Sequence, residues 1–408
     1  MRRNSPISLL AVGHACVDLY QGAVAALVPF FVAERAYGYA AASGLVLAAS
    51  LLSSVAQPLF GALTDRWAMP WLLPTGTLLG GAGIALSGLS GSYGLTLVFV
   101  AVSGIGVAAY HPEAARVARL AARGSHSAMS RFSLGGNIGF ALAPLVVSFA
   151  IGQGSLRWTP VLVLPALAGA ALCVPVLRML ARSRAGTSGA SAPRGADDVA
   201  SFVKLSLAVV FRSVVFTGLS TFVALHAQQR TEGGTTAGTV ALFLLFLGGA
   251  VGSLLGGFLA DRHGRVRVSR WSYLLSAAAV AGVVYAPGPA MFLFVALTSA
   301  GLYVPFSLQV TLGQDYLPSR MGTASGVTLG LTVSIGGLIA PLLGHLADST
   351  TLRTALTPLI AMPVLSWLLF RTLPDPTPPE APTPLQEPGD SAPAGPPTPA
   401  SSTRKAPS

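Results

Sequence analysis

Gly61-Ala-Leu-Thr-Asp65-Arg66 and Gly257-Phe-Leu-Ala-Asp261-Arg262 carry one pattern, G-x-x-x-D-R, 196 positions apart. A second pair repeats at almost the same offset. Gly139-Phe-Ala-Leu-Ala-Pro144-Leu145 aligns with Gly336-Gly-Leu-Ile-Ala-Pro341-Leu342 at 197, and Arg123 aligns with Arg320 at 197. Two independent matches at nearly one offset mean that the chain is built as two copies of one unit. Each G-x-x-x-D-R follows an apolar stretch of the roughly 20 residues that a membrane helix needs. Two parallel membrane halves in turn point to a transporter with a site at their interface.

Stretches free of Asp, Glu, Lys and Arg extend the reading to the whole chain. Residues 36–64, 132–156, 158–177, 233–260, 321–347 and 354–370 give one span each. Residues 67–112 are double length and break at Gly88-Leu-Ser-Gly-Ser-Tyr-Gly94; residues 271–314 break at Ala286-Pro-Gly-Pro-Ala290. Both breaks are turn-rich. Residues 7–32, interrupted only by Asp18, and 205–229, interrupted only by Arg212, complete twelve. The first span follows Arg2-Arg3 but is long, holds Asp18 and lacks a clear cleavage site, so it reads as an uncleaved helix.

Composition agrees. Of 408 residues, 52% are hydrophobic and 10% charged, with mean hydropathy +0.66. A soluble globular chain carries roughly 25% charged residues. Too few charges remain to coat a soluble surface, which excludes a soluble enzyme, a nucleic-acid-binding module and a disordered chain. The net charge of +11 is a record of topology. With the N-terminus cytoplasmic, 20 Lys/Arg fall on one side and only Arg35, Arg157, Arg230 and Arg353 on the other. Cytoplasmic loops are the basic ones. The expected architecture is an all-α membrane protein of twelve transmembrane helices in two six-helix halves, residues 1–181 and 201–373, with both termini cytoplasmic. A flexible cytoplasmic linker, 182–200, joins them, and a disordered tail, 374–408, carries 12 prolines. Cys16 and Cys173 read as small packing residues. No Cys/His spacing suits zinc, and neither a metal nor a cofactor is expected. No G-x-x-x-x-G-K-[ST] loop occurs, so the driving force is a gradient.

On these residues the chain resembles the major facilitator superfamily over about 7–372. The second loop copy is the fuller, with Gly264 and Arg265; the first has Ala68 and Met69 in those places. Gly13-His14-Ala-Cys-Val-Asp18, Asp65-Arg-Trp-Ala-Met-Pro-Trp71, Tyr110-His-Pro-Glu-Ala-Ala-Arg-Val-Ala-Arg119, Gly313-Gln-Asp-Tyr-Leu-Pro-Ser-Arg320, Ser325-Gly326 and Gly344-His-Leu-Ala-Asp348 resemble the fosmidomycin-resistance type of efflux protein. The resemblance implies proton-coupled efflux of a drug or small phosphonate-like molecule across the plasma (inner) membrane. It also implies that Asp65 and Arg66 latch the two halves in the outward-open state. The family's span 4 Arg is absent, Val100 and Ser103 standing there. Gly135, Gly136 and Gly139 with Pro144 resemble its glycine–proline motif, ordinary small-residue packing being the other reading.

Ionisable groups inside a membrane are costly, so their short list points to mechanism. His14, Asp18 and Gln21 share one helix face, and Asp18 with His14 is the candidate proton site; a structural hydrogen bond to another helix is the alternative. His111 and Glu113 flank Pro112, which is expected to end or kink span 4. His111 and Glu113 form either a gate or proton site, or Glu113 is half of an interfacial ion pair with Arg116. Gly61, Asp65, Arg66, Arg116, Gly257, Asp261 and Arg262 are candidates for conformational control, the glycines allowing close helix approach. Asp315 beside Arg320 is the candidate partner in the second half. Arg212, placed in the first turns of span 7, either meets an anionic substrate group or snorkels to the cytoplasmic interface. Gln21, Gln57 and Gln309 are candidate substrate-binding donors, and Tyr20, Phe132, Phe140, Phe216 and Tyr303 candidate lining aromatics. The expected partners are a small-molecule substrate, protons and lipid, with no nucleic acid and a monomeric state. The alternatives are import of a small metabolite, by symport or uniport, or a membrane enzyme using His111 and Glu113.

Overall fold

A computed structural model describes residues 5–122, 126–152, 155–182, 196–320, 324, 327–328 and 332–376. Most of the linker, the proline-rich tail from 377, Arg123 and much of the 321–331 segment lie outside the described residues, as do the Asp65 and Arg119 side chains. Among the described residues every regular element is helical. The first half holds α1 Ser5–Arg35, α2 Tyr39–Arg66, α3 Leu72–Ser87, α4 Tyr93–Ala122, α5 His126–Ile151 and α6 Leu164–Arg182. The second holds α7 Val199–Arg230, α8 Gly234–His263, α9 Arg265–Tyr285, α10 Ala290–Tyr303, α11 Phe306–Tyr316, α12 Thr332–Ser349, α13 Leu352–Leu356 and α14 Ala361–Arg371. Met1–Asp375 form one compact unit.

Nine described helices are long and apolar enough to cross a membrane. Three more expected spans are helical but miss that standard for visible reasons. Leu72–Ser87 has only 16 residues, α9 opens with Arg265, Arg267 and Arg270, and α12 continues a segment that lies partly outside the described residues. Both sequence breaks are turns: α3 ends at Ser87 and α9 at Tyr285, with Gly288 at φ +50° between Pro287 and Pro289. The span expected at 290–314 is divided at Pro305 into α10 and α11. Pro112 neither ends nor breaks α4, which runs on to Ala122. A membrane helix tolerates a proline where neighbouring groups take over the freed backbone partners.

The internal repeat extends beyond the sequence matches. Arg35 at the end of α1 donates to Gly88 O at 2.9 Å, and Arg230 at the end of α7 donates to Ala286 O at 2.8 Å. In each half, the last residue of the first helix thus ties down the turn before the fourth span. These are two of the four basic residues expected on the sparsely charged side, and each is held by a carbonyl. Spans 6 and 12 both begin under a hydroxyl cap and pass through a 3-10 turn. Ser155 Oγ accepts from Arg157 N and Thr351 Oγ1 from Thr354 N, followed by Leu156–Val163 and Thr357–Ile360. Each hydroxyl satisfies one amide that the helix start leaves open.

The two loop copies differ for a backbone reason. Gly264, at φ +81°, is the single residue between α8 and α9. Glycine adopts that region without steric cost. In the first copy α2 ends on extended Trp67, at φ −131°, and several residues lead to α3. Ala68 is tolerated because no left-handed residue is needed. Trp67, Trp71, Trp158 and Trp271 are all exposed near helix ends, where indoles favour a membrane interface. Phe149, 90% exposed, stands on an apolar exterior that suits lipid.

The linker's end is anchored. Asp198 N donates to Tyr316 O at 2.7 Å, and the Asp198 carboxylate caps α7 through Ser201 N at 3.0 Å. That hydrogen bonding holds the Asp198 carboxyl below its usual range. Asp197 accepts from Ser319 N and Oγ, which lowers it likewise, with Arg320 Nε 3.7 Å away.

Candidate functional site

α1 supplies the first residues of the site by spacing alone. His14, Asp18 and Gln21 sit at i, i+4 and i+7, one above another on the same face. α4 brings His111 to the same place. His14 Nε2 lies 3.3 Å from Asp18 Oδ2, and His111 Nε2 lies 3.2 Å from Oδ1. The carboxylate is bracketed, one imidazole on each oxygen. Phe132 of α5 completes the setting: its carbonyl is 2.9 Å from His14 Nδ1 and its ring stacks on His14 with centroids 4.3 Å apart. Bonded to that carbonyl, Nδ1 carries the hydrogen, so a bond from Nε2 to Asp18 requires a second proton on the same ring. His14, Asp18 and Tyr110 are buried. The donor atoms of His14, Asp18 and His111 lie within 4.8 Å of one another, near enough to share a proton or a small cation. Sequence spacing could not show this set, since α1 and α4 assemble it.

The α5 glycines make it possible. A Cβ at Gly135 or Gly139 would run into the backbone of Ala11 or Ala15, and one at Gly136 into Asp18 Oδ2 and the His14 ring. Two glycines therefore let α1 and α5 touch, and the third leaves space for the carboxylate. Gly136→Ala is expected to push the pair apart, at an overpacking cost of about 1–3 kcal/mol. It should lower the unfolding temperature of the purified protein; an unchanged temperature would show that the helices absorb the methyl group.

A cavity of about 550 Å³ lies between the halves. The first half contributes His14, Asp18, Tyr20, Gln21, Ser50, Ser53, Asn137 and Phe140; the second contributes Arg212, Ser213, Phe216, Phe246, Tyr303 and Phe306. Arg212 corrects the expectation of snorkelling. α7 begins at Val199, so Arg212 stands in its fourth turn, 3% exposed and facing the cavity. Its Nε and Nη1 have no hydrogen-bond partner. The guanidinium instead lies over Phe306 at 5.0 Å and Tyr303 at 5.5 Å. Ring faces attract a cation but leave its N–H groups unused. Asp18 on the opposite wall has a histidine nitrogen near each oxygen, although its Oδ1 makes no hydrogen bond.

Other expected residues are placed elsewhere. Glu113 is fully buried, but its carboxylate meets Arg116 Nε at 2.9 Å and Arg116 Nη2, within the continuous α4. His111 therefore belongs with Asp18, apart from Glu113. Gln309 donates to Tyr273 Oη, buried in the second half. Gln57 and Gln309 are not among the residues lining the cavity, and Phe132 meets it only through His14. Gly61 and Gly257 do not mediate close approach here, for a Cβ at either would meet nothing within 4 Å. Arg66 and Asp261 are exposed, and Arg262 lies over Phe258 at 4.4 Å. Asp315 pairs with Arg265, while Arg320 reaches Asp197. The pairing follows from the α8–α9 junction: one glycine there brings Arg265 beside α11.

Two features were not anticipated: the pairing of His111 with Asp18, and the contact made by Asp348. On α4, Ser103 and Val107 line the cavity, and His111 follows at the same four-residue spacing on that face, beside the lining rather than in it. Asp348 was read only as part of a resemblance. It accepts hydrogen bonds from Tyr39 N at 2.8 Å and Ala40 N at 3.0 Å, across the two halves.

Known proteins match along almost the whole chain. The Major Facilitator Superfamily sequence model matches residues 10–341. The Fosmidomycin resistance protein of Escherichia coli (strain K12) is 29% identical over 380 residues, 90% of this chain and 92% of the relative. The uncharacterized MFS-type transporter YfnC of Bacillus subtilis (strain 168) is 30% identical over 380 residues, 89% and 91% respectively. Among solved structures, a mutant of the nucleoside transporter NupG superposes with TM-score 0.73 at 12% identity, covering 90% of this chain and 99% of its own. A bacterial homolog of the human lysosomal transporter Spinster, inward-facing and unoccupied, gives 0.71 at 16% identity, covering 91% and 97%. These relatives are transporters, not enzymes. With the family model spanning most of the chain, a fold shared with solved transporters and a cavity between two repeated halves, the chain belongs to the major facilitator superfamily.

Proposed function

We propose that this chain is a secondary transporter that exports a small anionic molecule in exchange for protons, by alternating access from the plasma (inner) membrane. One observation carries the reading. The same cavity presents a carboxylate bracketed by two imidazoles on one wall and a buried guanidinium with unused N–H groups on the other. The first arrangement is suited to taking up and releasing protons. The second is suited to a carboxylate or phosphonate, whose oxygens fill the empty hydrogen-bonding positions. In such an exchange the two loads alternate: the cluster takes up its proton after the anion has left the Arg212 side, and gives it up before the next anion binds. The efflux direction rests on similarity to the fosmidomycin resistance protein.

The topology that goes with this function has twelve spans, both termini in the cytoplasm, and Asp65-Arg66 at the cytoplasmic ends, where they latch the halves in the outward-open state. Single cysteines test it. Gly91→Cys and Gly288→Cys should react with an impermeant maleimide added outside intact cells, and Trp67→Cys only after the membrane is opened. The reverse pattern would invert the topology.

Inverted vesicles with an imposed pH gradient test the function. Addition of a transported phosphonate should dissipate the gradient as the compound accumulates. Accumulation with no proton movement overturns antiport, and dissipation only when the compound runs in the same direction as the proton identifies a symporter.

A further inference from the structure

We propose that Asp348 is the closing contact for one end of the transport path: from the second half, its carboxylate caps the N-terminus of α2 in the first. Asp348 Oδ1 accepts from Tyr39 N and Oδ2 from Ala40 N, so both oxygens are used. α2 has no cap of its own. Gly38 offers no side chain, and the first turn holds no acidic residue. The first amides of a helix have no partner within it, and a carboxylate there is favoured by both hydrogen bonding and the helix dipole. This helix takes that carboxylate from a residue more than 300 positions away, on the other side of the cavity.

The packing around the cap is fitted to it. A Cβ at Gly38 would come 3.2 Å from Asp348 Oδ2. Along α12, a Cβ at Gly344 would meet Tyr39 O at 2.7 Å and Ser43 Oγ at 2.7 Å, and one at Gly337 would meet Ser50 Oγ at 2.6 Å. The two glycines, seven apart, form a seam that brings α12 against α2 as far as the carboxylate. A second tie reaches the same residue: Gln229 of α7 donates to Tyr39 Oη at 2.8 Å. Tyr39 is therefore held at its backbone and at its hydroxyl by two helices of the other half. The opposite end of α2 is different, since Gly61 has open space around it.

Alternating access needs each end of the cavity to open in turn, so these bonds must break once per cycle. The residues expected to govern the other end, Asp65 and Arg66, cannot supply this closure. Asp348 thus sets the balance between the conformer closed at the Tyr39 end and the one open there. The inference uses the two-half alternation of the proposed function, but not its substrate or coupling ion.

Spin-label distances test it in the purified full chain without substrate, in a background of Cys16→Ala and Cys173→Ala. Labels at Gly91→Cys and Glu232→Cys report the separation of the two halves at this end. Asp348→Ala should raise the population with the longer distance about tenfold, the equilibrium effect of about 1.4 kcal/mol, and Gln229→Ala should move it in the same direction by less. Asp348→Glu, which keeps the acceptor, should move it less than Asp348→Ala. An unchanged distribution in folded Asp348→Ala protein overturns the proposal, as does an equal shift in Asp348→Glu and Asp348→Ala. Because no transport is measured, failure of the antiport reading would leave this result standing, and the converse holds.

Discussion

Asp18→Asn is expected to abolish proton-driven accumulation of substrate in inverted vesicles while leaving substrate exchange in the absence of a gradient. Asparagine keeps the size and one acceptor oxygen but cannot take up a proton. His14 and His111 would each still face an oxygen or an amide, so the cavity's shape is retained. A fall of at least about 100-fold in gradient-driven transport corresponds to about 2.7 kcal/mol of lost coupling. The histidines separate the roles further. His111→Ala removes one bracket and leaves His14, itself fixed by Phe132 O. It should shift the pH at which transport is half-maximal rather than abolish transport. The groups around Asp18 that titrate or carry charge are His14, His111 and Tyr110, with Arg212 and Tyr303 on the facing wall. Both histidines act on one carboxylate, so the pH profile belongs to the cluster and not to Asp18 alone. Normal proton-driven transport by Asp18→Asn would remove the coupling centre from Asp18.

Much of the architecture was legible because a bilayer imposes simple rules. A helix needs a run of apolar residues, and few side chains can interrupt it. Asp18 and Arg212 were conspicuous for that reason, and both face the cavity. The turns at Gly88 and Pro287 were legible because glycine and proline punctuate the backbone locally. Pro287 marks a turn, but Pro112 does not end its helix. Its effect depends on whether neighbouring helices can take over the freed backbone groups, and sequence does not show the neighbours. Pairing was harder still. His111 was grouped with Glu113 as a possible proton site, yet α4 carries Glu113 round to Arg116, the alternative partner, and turns His111 toward α1. Gln57 and Gln309 looked like pocket donors because polar groups in apolar helices usually have partners. Gln309 finds Tyr273 within its own half instead. The cap on α2 was illegible for a related reason. Asp348 ends one apolar run and Tyr39 begins another, and only the docking of α12 joins them.

Arg212→Ala is expected to raise the KM for anionic substrates by about 10–100-fold, with a smaller change in the maximal rate. A hydrogen bond to a charged group is worth about 1.5–3 kcal/mol, and the guanidinium has two buried nitrogens free to make such bonds. The wild-type residue sits at a cost, since its charge is buried with two nitrogens unbonded, set against the faces of Phe306 and Tyr303. A bound carboxylate or phosphonate would remove that deficit, so affinity should depend on the anion more steeply than at an exposed arginine. Arg212→Lys discriminates charge from shape. Lysine keeps the charge but lacks the planar fork that meets two oxygens at once, so it should recover part of the affinity and favour bidentate anions less. Neutral analogues of the same body size should bind wild type and Arg212→Ala alike, because Phe216, Phe246 and Tyr303 remain to receive the apolar part. The coupling centre supplies the internal control. Proton binding at the His14–Asp18–His111 cluster should persist in Arg212→Ala, whereas Asp18→Asn should spare anion affinity while losing the gradient response. An Arg212→Ala protein with unchanged KM for every anionic substrate would assign anion recognition to the cavity's hydroxyls and leave the guanidinium a packing role between Tyr303 and Phe306.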